Sequence, residues 1–128
     1  MKRKVLLLIL VLFLILALVG CGNKEAIKEV IDNYFSALSN QQYELAKTYC
    51  ILGGSQYKFV EYAQKERDPT IKITLTPCIT KWHWVKAGDA FVDVEIVITS
   101  TGIFGISANE TTKSLAFLTK ISGNWKLK

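Results

Sequence analysis

The stretch Ala26-Ile27-Lys28-Glu29-Val30-Ile31-Asp32-Asn33-Tyr34-Phe35-Ser36-Ala37-Leu38 decides how this chain is built. Its apolar residues fall at Ala26/Ile27, Val30/Ile31, Tyr34/Phe35 and Leu38, the i, i+3, i+4, i+7 spacing that sets one side of a helix against a core. Glu25, Lys28, Glu29, Asp32 and Asn33 take the opposite side. Ser39 and Asn40 break this helix. A second is expected from Gln41 or Gln42 to about Tyr49, burying either Tyr43, Ala46 and Cys50 or Leu45 and Tyr49, with Gly53-Gly54 as its stop. Ser55 is the expected N-cap of a third, running to about Lys65, whose core side is either Tyr57, Val60 and Ala63 or Phe59 and Tyr62. Arg67-Asp68-Pro69 closes the helical half.

Past Pro69 the period changes from 3.6 to 2. Ile71, Ile73 and Leu75 alternate with Lys72, Thr74 and Thr76, and Val92, Val94, Ile96 and Ile98 with Asp93, Glu95 and Val97. Leu115, Phe117, Thr119 and Ile121 then alternate with Ala116, Leu118 and Lys120. Ala87-Gly88-Asp89 and Ser122-Gly123-Asn124 are hairpin turns, which makes Asn124 to Leu127 a short fourth strand and Thr101 to Asn109 a loop. Odd positions are apolar up to Ile79, after which the bulk moves to Trp82 and Trp84. A bulge or bend near Pro77, which cannot donate to a ladder, would carry out that flip and leave a kinked long strand or two short ones. Helices first and antiparallel strands after give an α+β fold, with N-terminal helices packed on a curved sheet of about four strands. The 128 residues hold one ordinary domain, 25–128.

Ile31 to Leu38, followed by Gln41-Gln42-Tyr43-Glu44-Leu45-Ala46, resembles the opening helix and second helix of nuclear transport factor 2-like (cystatin-like cone) domains. Phe117-Leu118-Thr119-Lys120 with Gly123-Asn124-Trp125-Lys126-Leu127 resembles their closing hairpin. The resemblance implies a cone whose concave sheet and helices enclose a pocket. In that superfamily cyclases, dehydratases and isomerases use Asp, His or Tyr inside the pocket, and many exported lipoproteins of the kind have no assigned activity.

Residues 1–20 read as an address. Lys2, Arg3 and Lys4 precede an unbroken apolar run from Val5 to Val19, and Leu18-Val19-Gly20-Cys21 ends it with small residues before a cysteine. Leu-Val-Gly-Cys resembles the bacterial lipobox, which implies a diacylglycerol on Cys21 and cleavage before it. The alternative is an uncleaved anchor, although 15 apolar residues fall short of the roughly 20 that span a bilayer comfortably. In both cases the domain faces outward from the cell membrane, with residues 21–24 as a short tether. Removing residues 1–20 leaves 13 basic against 11 acidic residues, a net +2, so the pI near 9.1 belongs partly to the signal. Without a basic cluster no nucleic-acid partner is expected.

Outside the cytoplasm the remaining cysteines, Cys50 and Cys78, form a disulfide candidate that would stabilise by roughly 3.5 kcal/mol; the alternative is two separate thiols. One His excludes most triad and metal chemistry, so no metal and no cofactor are expected. His83 has no partner nearby in sequence, and Asp93 and Glu95 project to solvent. Tyr34, Tyr57, Trp82, Trp84 and Trp125 are candidate pocket-lining residues, with plain core filling as the alternative for the tryptophans. Taken together these features describe a tethered, non-catalytic module that binds or scaffolds a partner protein or small apolar ligand. A small pocket enzyme or ligand carrier is the alternative. Dimerisation through the sheet is raised by Phe91, Val97, Ala116 and Leu118 on its supposed outer side.

Overall fold

The computed structural model describes all residues except 1, 103, 104 and 106, and of residues 12–22 the backbone alone. Three helices, α1 (Lys2–Ser39), α2 (Tyr43–Thr48) and α3 (Ser55–Lys65), precede four strands, β1 (Lys72–Val85), β2 (Asp89–Thr101), β3 (Ser107–Ile121) and β4 (Asn124–Leu127). The strands form one antiparallel sheet in sequence order. The α+β order expected from the sequence is the order found.

Helix α1 is longer than the amphipathic segment because it continues back through the apolar N-terminal run, where Val5 to Val11 stand exposed. Among the described residues no helix is long and apolar enough to cross a membrane. Its C-terminal half buries Ile27, Ile31, Tyr34, Ala37 and Leu38, the face that the spacing marks. The Gln42 and Gln41 amides donate to the Ala37 and Leu38 carbonyls at 2.8 and 3.1 Å, with Gln41 in the left-handed region (φ 57°), so a glutamine takes the turn usually given to glycine. Ser39 fastens this end to the sheet, since its Oγ accepts from the Leu75 amide at 2.8 Å.

In α2 the buried set is Tyr43, Ala46 and the following Cys50, leaving Leu45 exposed. The helix ends at Thr48 rather than at the glycines, because Cys50 bridges to Leu127 and the Ile51 amide donates to the Leu127 carbonyl at 2.8 Å. Gly54, not Ser55, occupies the α3 N-cap position, and no side chain caps the helix. Val60 is fully buried, Tyr57 and Ala63 pack partly against the core, Phe59 is half-exposed and Tyr62 faces solvent.

The face flip on β1 occurs after Pro77. That proline sits in the ladder opposite Ile96, on an edge strand where a missing donor costs least, and the register instead slips between Ile79 and Lys81 and again between Trp82 and Trp84. Two bulges therefore flip the faces twice: Trp82 opposes the inward Val92, whereas Trp84 opposes the outward Phe91. On β3 the expected faces are exchanged. Leu118 is buried and Ala116 packs on the core, while Leu115 and Phe117 lie outside, 56% and 45% exposed. Alternation alone could not choose between two apolar faces, and the register, Leu118 beside the buried Ala90, does.

The hairpin from β3 to β4 turns through Ser122 (φ 51°) and Gly123 (φ 83°), a two-residue turn of the type that matches strand twist. Because β2 and β3 extend over the stretch expected as a loop, only 102–106 connect them. Strand β4 pairs only with Leu118 to Ile121 and leaves the rest of the β3 edge uncovered.

Candidate functional site

That uncovered edge opens into a chamber of about 300 Å³ between α1, α3 and the sheet. Ile31, Tyr34 and Phe35 supply one wall, Gln56 and Phe59 the second, and Val94, Ile96 and Ala116 with Ser114 and Leu115 the third. The helical period brings Ile31, Tyr34 and Phe35 to one side of α1, and the strand period aligns Val94 with Ile96. Polar groups are few. The Tyr34 hydroxyl donates to Gln56 Oε1 at 3.0 Å, and burial, followed by the nearby Cys50, pushes the Tyr34 pKa far up, so the phenol stays neutral. Tyr34 also meets Phe35 edge to face, centroids 5.0 Å apart. A second cavity of about 400 Å³, lined by Leu38, Tyr43, Arg67 and Ile73, lies on the other side of Phe59. Phe59 on α3 is thus the partition between the two.

Of the five aromatic residues expected to line a pocket, Tyr34 alone lines this chamber. Tyr57 is on α3 beneath the Lys47 ammonium, 5.7 Å from its ring centroid. Trp82 packs partly on the core under Lys24, and Trp84 is on the outer face because of the second bulge. Trp125 is buried beside Ala26, Val30 and Asn33 of α1, and its indole N–H has no partner among the described residues. Gln56 and Ser114 were invisible to periodicity, since a single polar residue in a helix or strand carries no sign of direction.

The two cysteines do not meet. Cys50 is buried at the α2–β4 seam, where its thiol donates to the Ala46 carbonyl at 3.5 Å, and Cys78 is exposed on β1 opposite Glu95, on the outer side of the sheet. Both are free thiols, which corrects the expected disulfide; the sheet stands between them. Burial pushes the Cys50 thiol up to about 11, countered in part by Lys126.

His83 does have a partner. The bulges turn it to the outer face, where Nε2 lies 2.8 Å from Asp93 Oδ1 and the imidazole stacks on Phe91 at 4.4 Å. Phe91 stacks in turn on Phe117, centroids 4.3 Å apart and nearly parallel. This His–Asp pair is separated from the chamber by the sheet, so it cannot act on anything held inside. Among the described residues no group of three His, Cys, Asp or Glu side chains is placed to hold a metal ion.

Known structures share this architecture. A conserved protein from Planctomyces limnophilus superposes with a TM-score of 0.69 at 14% identity, over 83% of this chain and 91% of its own. An NTF-2 like protein of unknown function from Shewanella oneidensis gives 0.65 at 11%, over 82% and 93%. The fold is the nuclear transport factor 2-like cone. A hexachlorocyclohexane dehydrochlorinase of the same shape gives 0.69 at 8%, over 84% and 82%. At such identities the likeness is one of fold. No protein-family model and no curated protein sequence matches the chain.

Proposed function

We propose that this chain is an outward-facing, membrane-tethered lipoprotein, acylated at Cys21, whose cone binds a small apolar ligand without transforming it. The observation that carries the binding reading is the composition of the chamber: apolar walls, the Tyr34–Gln56 hydroxyl–amide pair, the Ser114 hydroxyl and no carboxylate, imidazole or amine among its lining residues. General-base catalysis needs a group that can take up a proton within reach of the ligand, and burial keeps the only tyrosine there in its protonated, donor form. A ligand with a hydrocarbon body and a single hydroxyl or carbonyl fits, the polar atom meeting Tyr34 and Gln56. Support for the tether comes from the sequence of residues 2–21 and from the bare apolar side chains of Val5 to Val11, which a soluble domain would not leave in water.

A polarity-sensitive naphthalene dye tests the chamber. Saturable binding at one site, abolished by Ala116→Phe and weakened by Tyr34→Phe, is the expected result. Dye binding that neither variant changes would refute it. Mass analysis of the N-terminal peptide, with the mass of a diacylglyceryl group on Cys21 expected, tests the tether. The enzyme alternative gains from the dehydrochlorinase of the same fold, and turnover of any bound ligand by the wild-type protein would favour it.

A further inference from the structure

The geometry points to a bilayer-docking surface for anionic phospholipid headgroups at the end of the sheet where α1 enters the domain. The strand register puts all three tryptophans at this end of the sheet, Trp82 and Trp84 on the β1 edge and the buried Trp125 on the β4 edge, and each carries a lysine over its ring: Lys24 over Trp82 at 5.4 Å, Lys86 over Trp84 at 5.4 Å and Lys120 over Trp125 at 5.8 Å. They come from four separate places in the chain, α1, the end of β1 with its turn, the end of β3 and the start of β4. Topology assembles them because α1 runs antiparallel to β1, Lys24 meeting Trp82 at one end and Ser39 meeting Leu75 at the other.

Indoles paired with ammonium groups suit the headgroup layer, where the ring enters the apolar boundary and the cation stays with phosphate. Trp84 is 38% exposed and Ile121, at the neighbouring β-turn, 45%, so apolar side chains are available to enter that layer. On the sheet Asp89 pairs with Lys128 at 3.6 Å and Asp93 lies 2.8 Å from His83, whereas Lys24, Lys86 and Lys120 make no ion pair among the described residues; Glu29 of α1, beside Trp125, is the acidic group that the three lysines outnumber.

The inference rests on the membrane tether proposed above, and the tether selects the occupant. Lys24 lies three residue steps from Cys21, a reach of at most about 11 Å even fully extended. Acyl chains on Cys21 would therefore hold this end, and no other, against the bilayer, and a second copy or a soluble partner would have to displace lipid to reach it.

The full-length protein, purified in detergent and reconstituted into phosphatidylcholine vesicles containing phosphatidylglycerol, provides the test, with acyl chains brominated near the headgroup as quenchers of tryptophan emission. The expected result is quenching of the wild type that falls at least about threefold in Trp84→Phe, the exposed indole being the one that enters the interface. It should also weaken in Lys86→Gln/Lys120→Gln and in vesicles of phosphatidylcholine alone. Equal quenching of wild type and Trp84→Phe would overturn the inference. So would no quenching together with shielding of Trp84 from aqueous iodide, the signature of cover by a second copy. The N-terminal peptide mass separates the two readings: if Cys21 carries no lipid, the apolar Val5 to Val19 run still holds the same end at the membrane, and the quenching comparison still decides the surface.

Discussion

Val60 is the fully buried side chain of helix α3, and Val60→Ala measures what that anchor contributes. Val60 is fully buried, whereas Phe59 and Tyr62 are 50% and 64% exposed. Removing two methyl-sized groups from a buried position costs about 1.6 kcal/mol in transfer, rising toward about 3 kcal/mol if the hole stays open. Alanine returns roughly half a kcal/mol through its higher helix propensity. The net expectation is about 1–2.5 kcal/mol. Because α3 touches the sheet so sparsely, the loss should appear first as local opening. Amides of Val60 to Lys65 should exchange faster by one to two orders of magnitude while those of Ile31 to Leu38 change little, read by native-state hydrogen exchange with mass spectrometry. A chamber ligand that contacts Gln56 and Phe59 should restore the protection. Wild-type exchange rates throughout α3 in the variant would refute the claim that Val60 anchors this wall.

Tyr34→Phe keeps the edge-to-face ring contact and removes only the donor to Gln56, so it should weaken a hydroxyl- or carbonyl-bearing ligand by about fivefold, near 1 kcal/mol, and leave a plain hydrocarbon unaffected, as a competition titration would show. Cys78 should react promptly with a maleimide in the native protein and Cys50 only after unfolding, by mass shift under the two conditions. Since the folded state holds the Cys50 thiol up to about 11, the unfolded chain releases that proton first as pH passes 9; stability is full below pH 9 and declines toward pH 11, and urea titrations of Cys50→Ala should show a shallower decline. The Phe91–Phe117 stack should yield a coupling of about 0.5–1.5 kcal/mol in a double-mutant cycle to leucine.

The helical half was legible because burial leaves a strong mark on a 3.6-residue period: Ile27, Ile31, Tyr34 and Leu38 all lie on the buried side that their spacing marks. For α2 and α3 the sequence offered two faces each, and packing chose the ones with Ala46 and Val60. The sheet was legible in its strands and turns but less so in its faces. Leu115 and Phe117 outweigh Ala116 in bulk, yet the ladder with β2 turns them outward. Trp84 was misplaced by a second bulge that no single residue announces. The site was least readable, because it depends on where a short β4 stops and on the direction of two polar residues, Gln56 and Ser114, that have no periodic company. The His83–Asp93 pair escaped because ten sequence positions separate partners that adjacent antiparallel strands bring together.

The seam where Cys50 bridges to Leu127 joins the helical half to the closing strand. The hairpins β1–β2 and β2–β3 close over short turns and cost little chain entropy, whereas this seam has to bring together regions separated by the whole sheet. Assembly should therefore run from the sheet outward, with the helical layer settling on it and the seam zipping last. Trp125, buried beside that seam, would be the reporter whose emission changes in the final kinetic phase.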